Sequence, residues 1–87
     1  MLLVCYNIKD TEVLYNFIIK AESIGEVQKI LPNCILIDSE KNVKDVSLDF
    51  RSVLSSNGLF FVVKITRAEL SGWLSTQSVN WINNKVF

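Results

Sequence analysis

The chain has 87 residues, enough for one small domain, and 49% of them are hydrophobic. Nine basic and nine acidic residues give a formal net charge of zero and are interspersed, which argues against the basic footprint of a typical nucleic-acid-binding protein. The absence of histidine excludes catalysis and metal ligation that depend on imidazole. The first apolar run is too short for a membrane span and lacks signal-peptide features, so we expect a cytoplasmic protein with no membrane segment.

Residues 2–8 predict a strand that is apolar on both faces, which is typical of a central strand. Asp10 or Thr11 then supplies the N-cap of a helix, because either side chain accepts a hydrogen bond from a free backbone N–H. The helix carries one apolar stripe at helical spacing: Val13, Leu14, Phe17, Ile18 and Ala21. Gly25 is predicted to end the helix in a left-handed conformation.

A hairpin is predicted after this helix. Residues 26–31 alternate in polarity, and residues 34–37 are apolar. Pro32 and Asn33 between them favour a tight turn, so the two runs are expected to pair as antiparallel strands.

A second amphipathic helix follows the hairpin and is predicted to stop at the Asn-Gly pair 57–58. Its apolar residues are Val43, Val46, Phe50, Val53 and Leu54. Residues 59–66 predict the fourth strand, and residues 67–75 an irregular segment with a short strand near Leu70. Thr76 is predicted to cap a last short helix that carries Val79, Trp81 and Ile82.

The predicted order is strand, helix, strand, strand, helix, strand. Two strand–helix–strand crossovers around a hairpin describe an α+β, ferredoxin-like split βαβ fold (βαββαβ), with two helices on one face of the sheet and a short C-terminal helix. Residues 1–66 are expected to form the ferredoxin-like core. Residues 67–87 are expected to form a C-terminal segment that packs on the sheet or on a dimer partner.

The sheet face away from the two helices is also predicted to be apolar. Both faces of the two strands are apolar: the first strand has Leu3 and Cys5 opposite Leu2, Val4, Tyr6 and Ile8. The fourth strand has Phe60 and Val62 on one face and Leu59, Phe61, Val63 and Ile65 on the other. An open apolar sheet face is an aggregation hazard, so we expect it to be covered. The cover is either a second protomer in a homodimer or the C-terminal segment with Trp73 and Trp81.

The two cysteines, Cys5 and Cys34, both lie inside apolar runs. Free cysteine behaves as a small hydrophobic residue, which favours two buried thiols on strands. A disulfide or a metal pair would need closer sequence spacing or an oxidising compartment.

Three short motifs, in order along the chain, carry a family resemblance. Residues 6–8, Tyr-Asn-Ile, resemble the Tyr-Asp-Ile end of the first strand in the small CRISPR-associated adaptation endoribonucleases. Residues 24–31, IGEVQKIL, resemble the segment that leads into that family's second strand. Residues 72–74, Gly-Trp-Leu, followed by Trp81, are similar to a pattern of the uncharacterised SinR-like family. The virulence-associated protein D ribonucleases are similar more distantly, by fold.

The resemblance implies a ferredoxin-like homodimer in which the residue that ends the first strand faces its twin across the dimer. In the CRISPR-associated family this residue is an aspartate, and the resemblance assigns the pair to a divalent cation used in phosphodiester cleavage. Many members of that family also bridge a partner integrase and DNA. Asn7 occupies the aspartate's position here, and two carboxamides bring neither charge to a cation nor a base to water.

Asp10 is the nearest substitute carboxylate and Asp38 a second one, although capping the first helix is the favoured role of Asp10. The candidates for nucleic-acid contact are Lys9, Lys29, Arg67 and Trp73. The basic side chains would gather near one sheet edge, and Trp73 would stack on a base. The alternatives are scattered surface charge for the basic residues and packing against the C-terminal helix for Trp73.

Two functions follow from these observations. The first is a non-catalytic dimeric adaptor that binds a protein partner, is linked to nucleic acid or to a defence or mobile-element system, and needs no cofactor. The second is a weak metal-dependent endonuclease for RNA or DNA that uses Mg²⁺ or Mn²⁺. Asn7 and the neutral charge favour the first function.

Overall fold

The computed structural model describes residues 1–54, 56 and 58–87. Within these residues, the regular elements are β1 (Leu2–Asn7), α1 (Thr11–Ile24), β2 (Glu26–Leu31), β3 (Cys34–Asp38), α2 (Val43–Arg51), β4 (Leu59–Lys64), a 3₁₀ turn (Arg67–Glu69) and α3 (Thr76–Asn83). Across the same residues, no helix is both long enough and apolar enough to cross a membrane.

The four strands form one antiparallel sheet in the order β2-β3-β1-β4. β1 is a central strand, as its apolar run predicts, and its Cys5 lies opposite Cys34 of β3 and Phe61 of β4. The predicted α+β class is confirmed. The arrangement is compatible with a ferredoxin-like fold.

The two longer helices, α1 and α2, pack on one face of the sheet, here called the helix face. The buried core on this face contains Leu2, Val4, Tyr6, Phe17, Ala21, Ile35, Ile37, Val46 and Phe50. Phe17 of α1 stacks on Phe50 of α2 with ring centroids 4.2 Å apart and ring planes inclined by 18°. Both rings are fully buried, so this aromatic pair joins the two helices over the sheet.

The opposite face of the sheet, here called the second face, is covered at one end by the C-terminal segment. Met1, Leu36 and Ile82 form a small buried cluster there. Other apolar residues pack around it: Leu3, Ile30, Ile65, Leu74, Trp81 and Phe87. The chain's own C-terminal segment therefore covers this end of the second face, and it is one of the two alternative covers expected from the sequence.

Arg67 fixes the end of α3. Its Nη2 donates to the carbonyl oxygens of Ile82 (2.8 Å) and Lys85 (2.6 Å), and its guanidinium lies 4.6 Å from the centre of the Phe87 ring. Carbonyls at a helix C-terminus lack partners within the helix, and the helix dipole makes this end attractive to a cation. A single side chain thus binds both the helix end and the residues that follow it.

The junction between α1 and β2 differs from the sequence prediction. Gly25 follows α1 in extended backbone with φ 178°, so the predicted left-handed conformation is wrong. A Cβ at this position would collide with the carbonyl oxygen of Asp38. Glycine is needed here because the chain passes close to the end of β3, and the turn itself does not require it.

The second and third helices also differ at their ends. α2 ends at Arg51 and does not reach Leu54, because the chain tightens and the Val53 N–H donates to the Phe50 carbonyl three residues back, at 3.1 Å. Asn57, part of the predicted stop signal, lies outside the described residues. Ser75 caps α3 where Thr76 was expected: its Oγ accepts from the Ser78 N–H at 3.2 Å. The backbone near Leu70 forms no strand.

Candidate functional site

Five residues at one end of the second face are not covered by α3: Cys5, Asn7, Cys34, Leu59 and Phe61. They are called the open patch below. Strand side chains alternate between faces, and Leu2, Val4 and Tyr6 of β1 point into the helix-face core. Cys5 and Asn7 therefore point to the second face, as do their partners across the strands.

Two large apolar side chains dominate the open patch. Leu59 is 66% exposed and Phe61 is 67% exposed, although both belong to a strand of the sheet. They lie two positions apart on β4, so their side chains are neighbours on one face. Contiguous exposed apolar surface is a candidate interaction site, and these two side chains are adjacent.

Asn7 ends β1, lies opposite Leu59 and is exposed. Its carboxamide therefore belongs to the open patch, at the strand-end position that the resemblance implies. A carboxamide has one carbonyl oxygen to offer a hard cation, but no charge and no proton-accepting base.

The two carboxylates expected to substitute for an aspartate at position 7 have other roles and positions. Asp10 is the N-cap of α1, and its Oδ1 accepts from the N–H groups of Glu12 (2.9 Å) and Val13 (3.1 Å). The capping prediction for this position is confirmed for Asp10. Asp38 ends β3 at the other end of the sheet, with its Oδ2 3.8 Å from Lys85 Nζ. Among the described residues, no three acidic or cysteine side chains cluster as a metal ion requires.

The basic residues proposed for nucleic-acid contact occupy different parts of the molecule. Lys9 follows β1 beside the open patch, whereas Lys29 lies on β2 opposite Ile35, on the helix-face side. Arg67 follows β4 at the opposite end of the sheet, where Ile65 N–H bonds to Met1 O, and holds the end of α3. The fold does not bring these three cations into one patch.

The two tryptophans of the C-terminal segment differ completely in environment. Trp73 is 98% exposed, so the expectation that it packs against the C-terminal helix is wrong. Trp81 packs instead, with its Nε1 donating to Glu26 Oε1 at 2.8 Å. Trp73 lies on the loop between the 3₁₀ turn and α3, where nothing lies within 4 Å of a Cβ built on the neighbouring Gly72.

A groove of about 560 Å³ lies between this loop, α3 and the second face. Its apolar lining includes Leu3, Ile30, Leu36, Leu70, Trp73 and Ile82. Arg67 also borders the groove, but its Nη2 hydrogen bonds are made to backbone carbonyls.

The cysteines lie in contact across β1 and β3, which sequence spacing did not indicate. Cys34 Sγ lies 3.5 Å from Cys5 Sγ, and both residues are half-buried free thiols, where buried thiols were expected. Burial raises the pKa of the Cys34 thiol, and its hydrogen bond with Cys5 raises that pKa further. The pair is 29 residues apart in sequence, so only the strand register could have revealed it.

Comparison of the chain with family models, curated proteins and solved structures finds no match. The resemblances to the CRISPR-associated and SinR-like families therefore stay expectations drawn from short motifs. Three features of the described residues bear on function: the open patch, the groove lined by Trp73 and α3, and the pair of thiols.

Proposed function

We propose that this chain is a non-catalytic adaptor with a ferredoxin-like split βαβ fold, and that it forms a homodimer through the open patch. The adaptor binds a protein partner in a system linked to nucleic acid or to defence. The observation that carries this proposal is the pair of side chains Leu59 and Phe61, which are two-thirds exposed beside each other on the sheet.

The reason for a second copy is the division of the second face. At the end nearest Met1, the C-terminal segment already covers Leu36 and neighbouring apolar residues. At the other end, Leu59 and Phe61 have no such cover within the described residues. Burying a side chain of this size contributes about 1.5–3 kcal/mol. A dimer with its two-fold axis through the patch would bury Leu59 and Phe61 of both copies.

The chemistry of Asn7 and Asp10 supports an adaptor over an enzyme. Asn7 provides no charge for a hard cation and no general base, and the Asp10 carboxylate is engaged by two backbone N–H groups. Charge-assisted bonds from a helix N-terminus hold a carboxylate in its capping position. Oδ1 of Asp10 is thus used for helix capping, and Asn7 has no proton-accepting group.

One observation favours the second candidate, a weak metal-dependent endonuclease that uses Mg²⁺ or Mn²⁺. Asn7 lies on the open patch, so a dimer with its two-fold axis there would place two Asn7 side chains near each other. Their carbonyl oxygens could then share a cation weakly. Labelled RNA and duplex DNA, incubated with the protein and either metal, distinguish the two functions: cleavage that a chelator abolishes would overturn the non-catalytic assignment.

The dimer is tested by sedimentation equilibrium on the intact chain and two matched variants. Phe61→Lys places a charge in the open patch, and Leu48→Lys changes a similarly exposed residue (60%) on α2. We expect a micromolar dimer for the unmodified chain and for Leu48→Lys. Two Phe61 side chains are lost per dimer, so Phe61→Lys should raise the dimer dissociation constant about a hundredfold or more. A monomeric unmodified chain would contradict the proposal.

A further inference from the structure

Cys5 and Cys34 occupy a pair of positions whose geometry follows from the backbone. The Tyr6 N–H donates to the carbonyl of Asn33, the residue just before β3, at 3.0 Å, so Tyr6 and Asn33 continue the β1–β3 ladder as a hydrogen-bonded pair. In an antiparallel ladder such pairs alternate with pairs that exchange no backbone bonds. The next pair, Cys5 opposite Cys34, is therefore a non-hydrogen-bonded pair.

The other neighbour of β1 gives the same assignment independently. The Ile65 N–H donates to the Met1 carbonyl at 3.0 Å, so the odd-numbered residues of β1 direct their backbone groups toward β4. Cys5 accordingly pairs with Phe61 through its backbone. Its backbone contacts with β4 are thus separate from its side-chain contact with Cys34.

A non-hydrogen-bonded pair is the place in a sheet where two cysteines are close enough to be bridged. Its Cα atoms are about 4.5 Å apart, which lies within the range of about 4.4–6.8 Å spanned by disulfides. The two sulfur atoms already lie 3.5 Å apart. Closing them to the bond length of about 2.05 Å needs side-chain rotation and little movement of the strands.

Both thiols are also reachable. Each cysteine is half-buried, and Cys5 lines a shallow depression of about 320 Å³ with Asn7, Leu59 and Phe61. Thiols sealed inside a core are inert, whereas thiols that solvent reaches can ionise and be oxidised, more slowly where the thiol pKa is raised, as it is at Cys34. The half-exposed position on the open patch puts this pair in the second class.

We propose that Cys5 and Cys34 are a modification site: a cross-strand dithiol that a peroxide converts reversibly into an intramolecular disulfide. One sulfur attacks a peroxide oxygen, the O–O bond breaks, and a sulfenic acid and water result. The second sulfur attacks the sulfenic sulfur, forming the S–S bond and releasing a second water that carries the thiol proton. Two thiols lose two electrons, the peroxide gains them, and a dithiol reductant reverses the reaction.

The test uses the intact reduced chain, diluted below the micromolar dissociation constant expected for the dimer so that the open patch is uncovered, and treated with hydrogen peroxide. Mass spectrometry should show the loss of two hydrogens from the single chain and no disulfide-linked dimer. After tryptic digestion without reductant, residues 1–9 should be linked to residues 30–41, and dithiothreitol should separate them. The oxidised chain should unfold at a temperature about 10 °C or more higher, because the bridge constrains the unfolded chain.

Two outcomes would overturn the proposal: two thiols that still titrate after peroxide treatment, or bridges found only between chains. Cys34→Ser serves as the matched control, because it keeps Cys5 on the same face and removes its partner. It should add oxygen at Cys5 and form no intramolecular bridge. The primary readouts come from the unmodified chain below the dissociation constant of the dimer, so the result does not depend on the stability of this variant.

Discussion

Trp81 of α3 donates a 2.8 Å hydrogen bond to Glu26 of β2, and Lys85 binds the other oxygen of the same carboxylate at 2.7 Å. Lys85 Nζ also lies 4.9 Å from the centre of the Trp81 ring. One glutamate at the start of an edge strand therefore attaches the C-terminal helix to the sheet through two partners. The position of α3 decides which end of the second face stays open.

Glu26→Gln should loosen α3. The amide keeps the shape of the carboxylate but loses the ion pair with Lys85 and weakens the bond with Trp81. We expect a lower urea midpoint and greater exposure of Trp81 in its fluorescence spectrum. Glu22→Gln, an exposed position on α1, should leave both unchanged. Equal behaviour of the two variants would show that Glu26 does not hold the helix.

Acid should release α3 through the same residue. The hydrogen bond from Lys85, then that from Trp81, lowers the pKa of Glu26 below its ordinary value of 4.5. A lowered carboxyl pKa in the folded state stabilises the fold above the ordinary value, and this contribution is lost as the pH falls through the lowered pKa. Trp81 fluorescence in a Trp73→Phe background should therefore change below pH 4.5. The change should be absent when Glu26→Gln is added, and a transition centred above this pH would count against the assignment.

Arg67→Ala should destabilise the C-terminal segment. The guanidinium donates to two carbonyl oxygens and lies over the Phe87 ring. Hydrogen bonds to a charged group contribute about 1.5–3 kcal/mol, and partial exposure places this pair at the low end. Urea unfolding should show a loss of about 1–2 kcal/mol, whereas Lys44→Ala, at an exposed cation on α2, should fall within about 0.5 kcal/mol. A similar loss in both variants would refute the capping role.

Phe17→Ala tests the helix-face core. The ring is fully buried and stacked on Phe50, so its removal leaves a cavity that the two helices cannot fill. The free energy of unfolding should fall by about 3–5 kcal/mol, which would unfold much of a domain this small. Tyr15→Ala changes a 65% exposed aromatic residue on the same helix and should have little effect. Chemical denaturation followed by circular dichroism measures both.

Local signals along the chain predicted the elements well. The alternation of residues 26–31 predicts β2 with the bounds observed, and a side-chain oxygen just before an apolar stripe predicts the cap at Asp10. These features depend on neighbours in sequence. The extended conformation of Gly25 could not be predicted in this way, because it depends on the distant carbonyl of Asp38.

The candidate site was less predictable because it depends on which distant residues meet. Trp73 and Trp81 are the same residue type in sequence, and Trp81 takes the packed position through its hydrogen bond to Glu26 and its contact with the Met1, Leu36 and Ile82 cluster. The contact between Cys5 and Cys34 depends on strand register, which two apolar runs do not specify by themselves. The apolar second face was predictable from alternation, but the end at which it stays open depends on the path of residues 67–87.

The most direct test of the proposed adaptor dimer is an isotope-filtered NOE experiment on a mixture of labelled and unlabelled chains. It detects hydrogens of one copy that lie close to hydrogens of another. A dimer formed through the open patch should show contacts between copies at the Leu59 methyl groups and the Phe61 ring. Contacts confined to the helix side, at Tyr15 or Leu48, or the absence of any contact between copies at millimolar concentration, would contradict it.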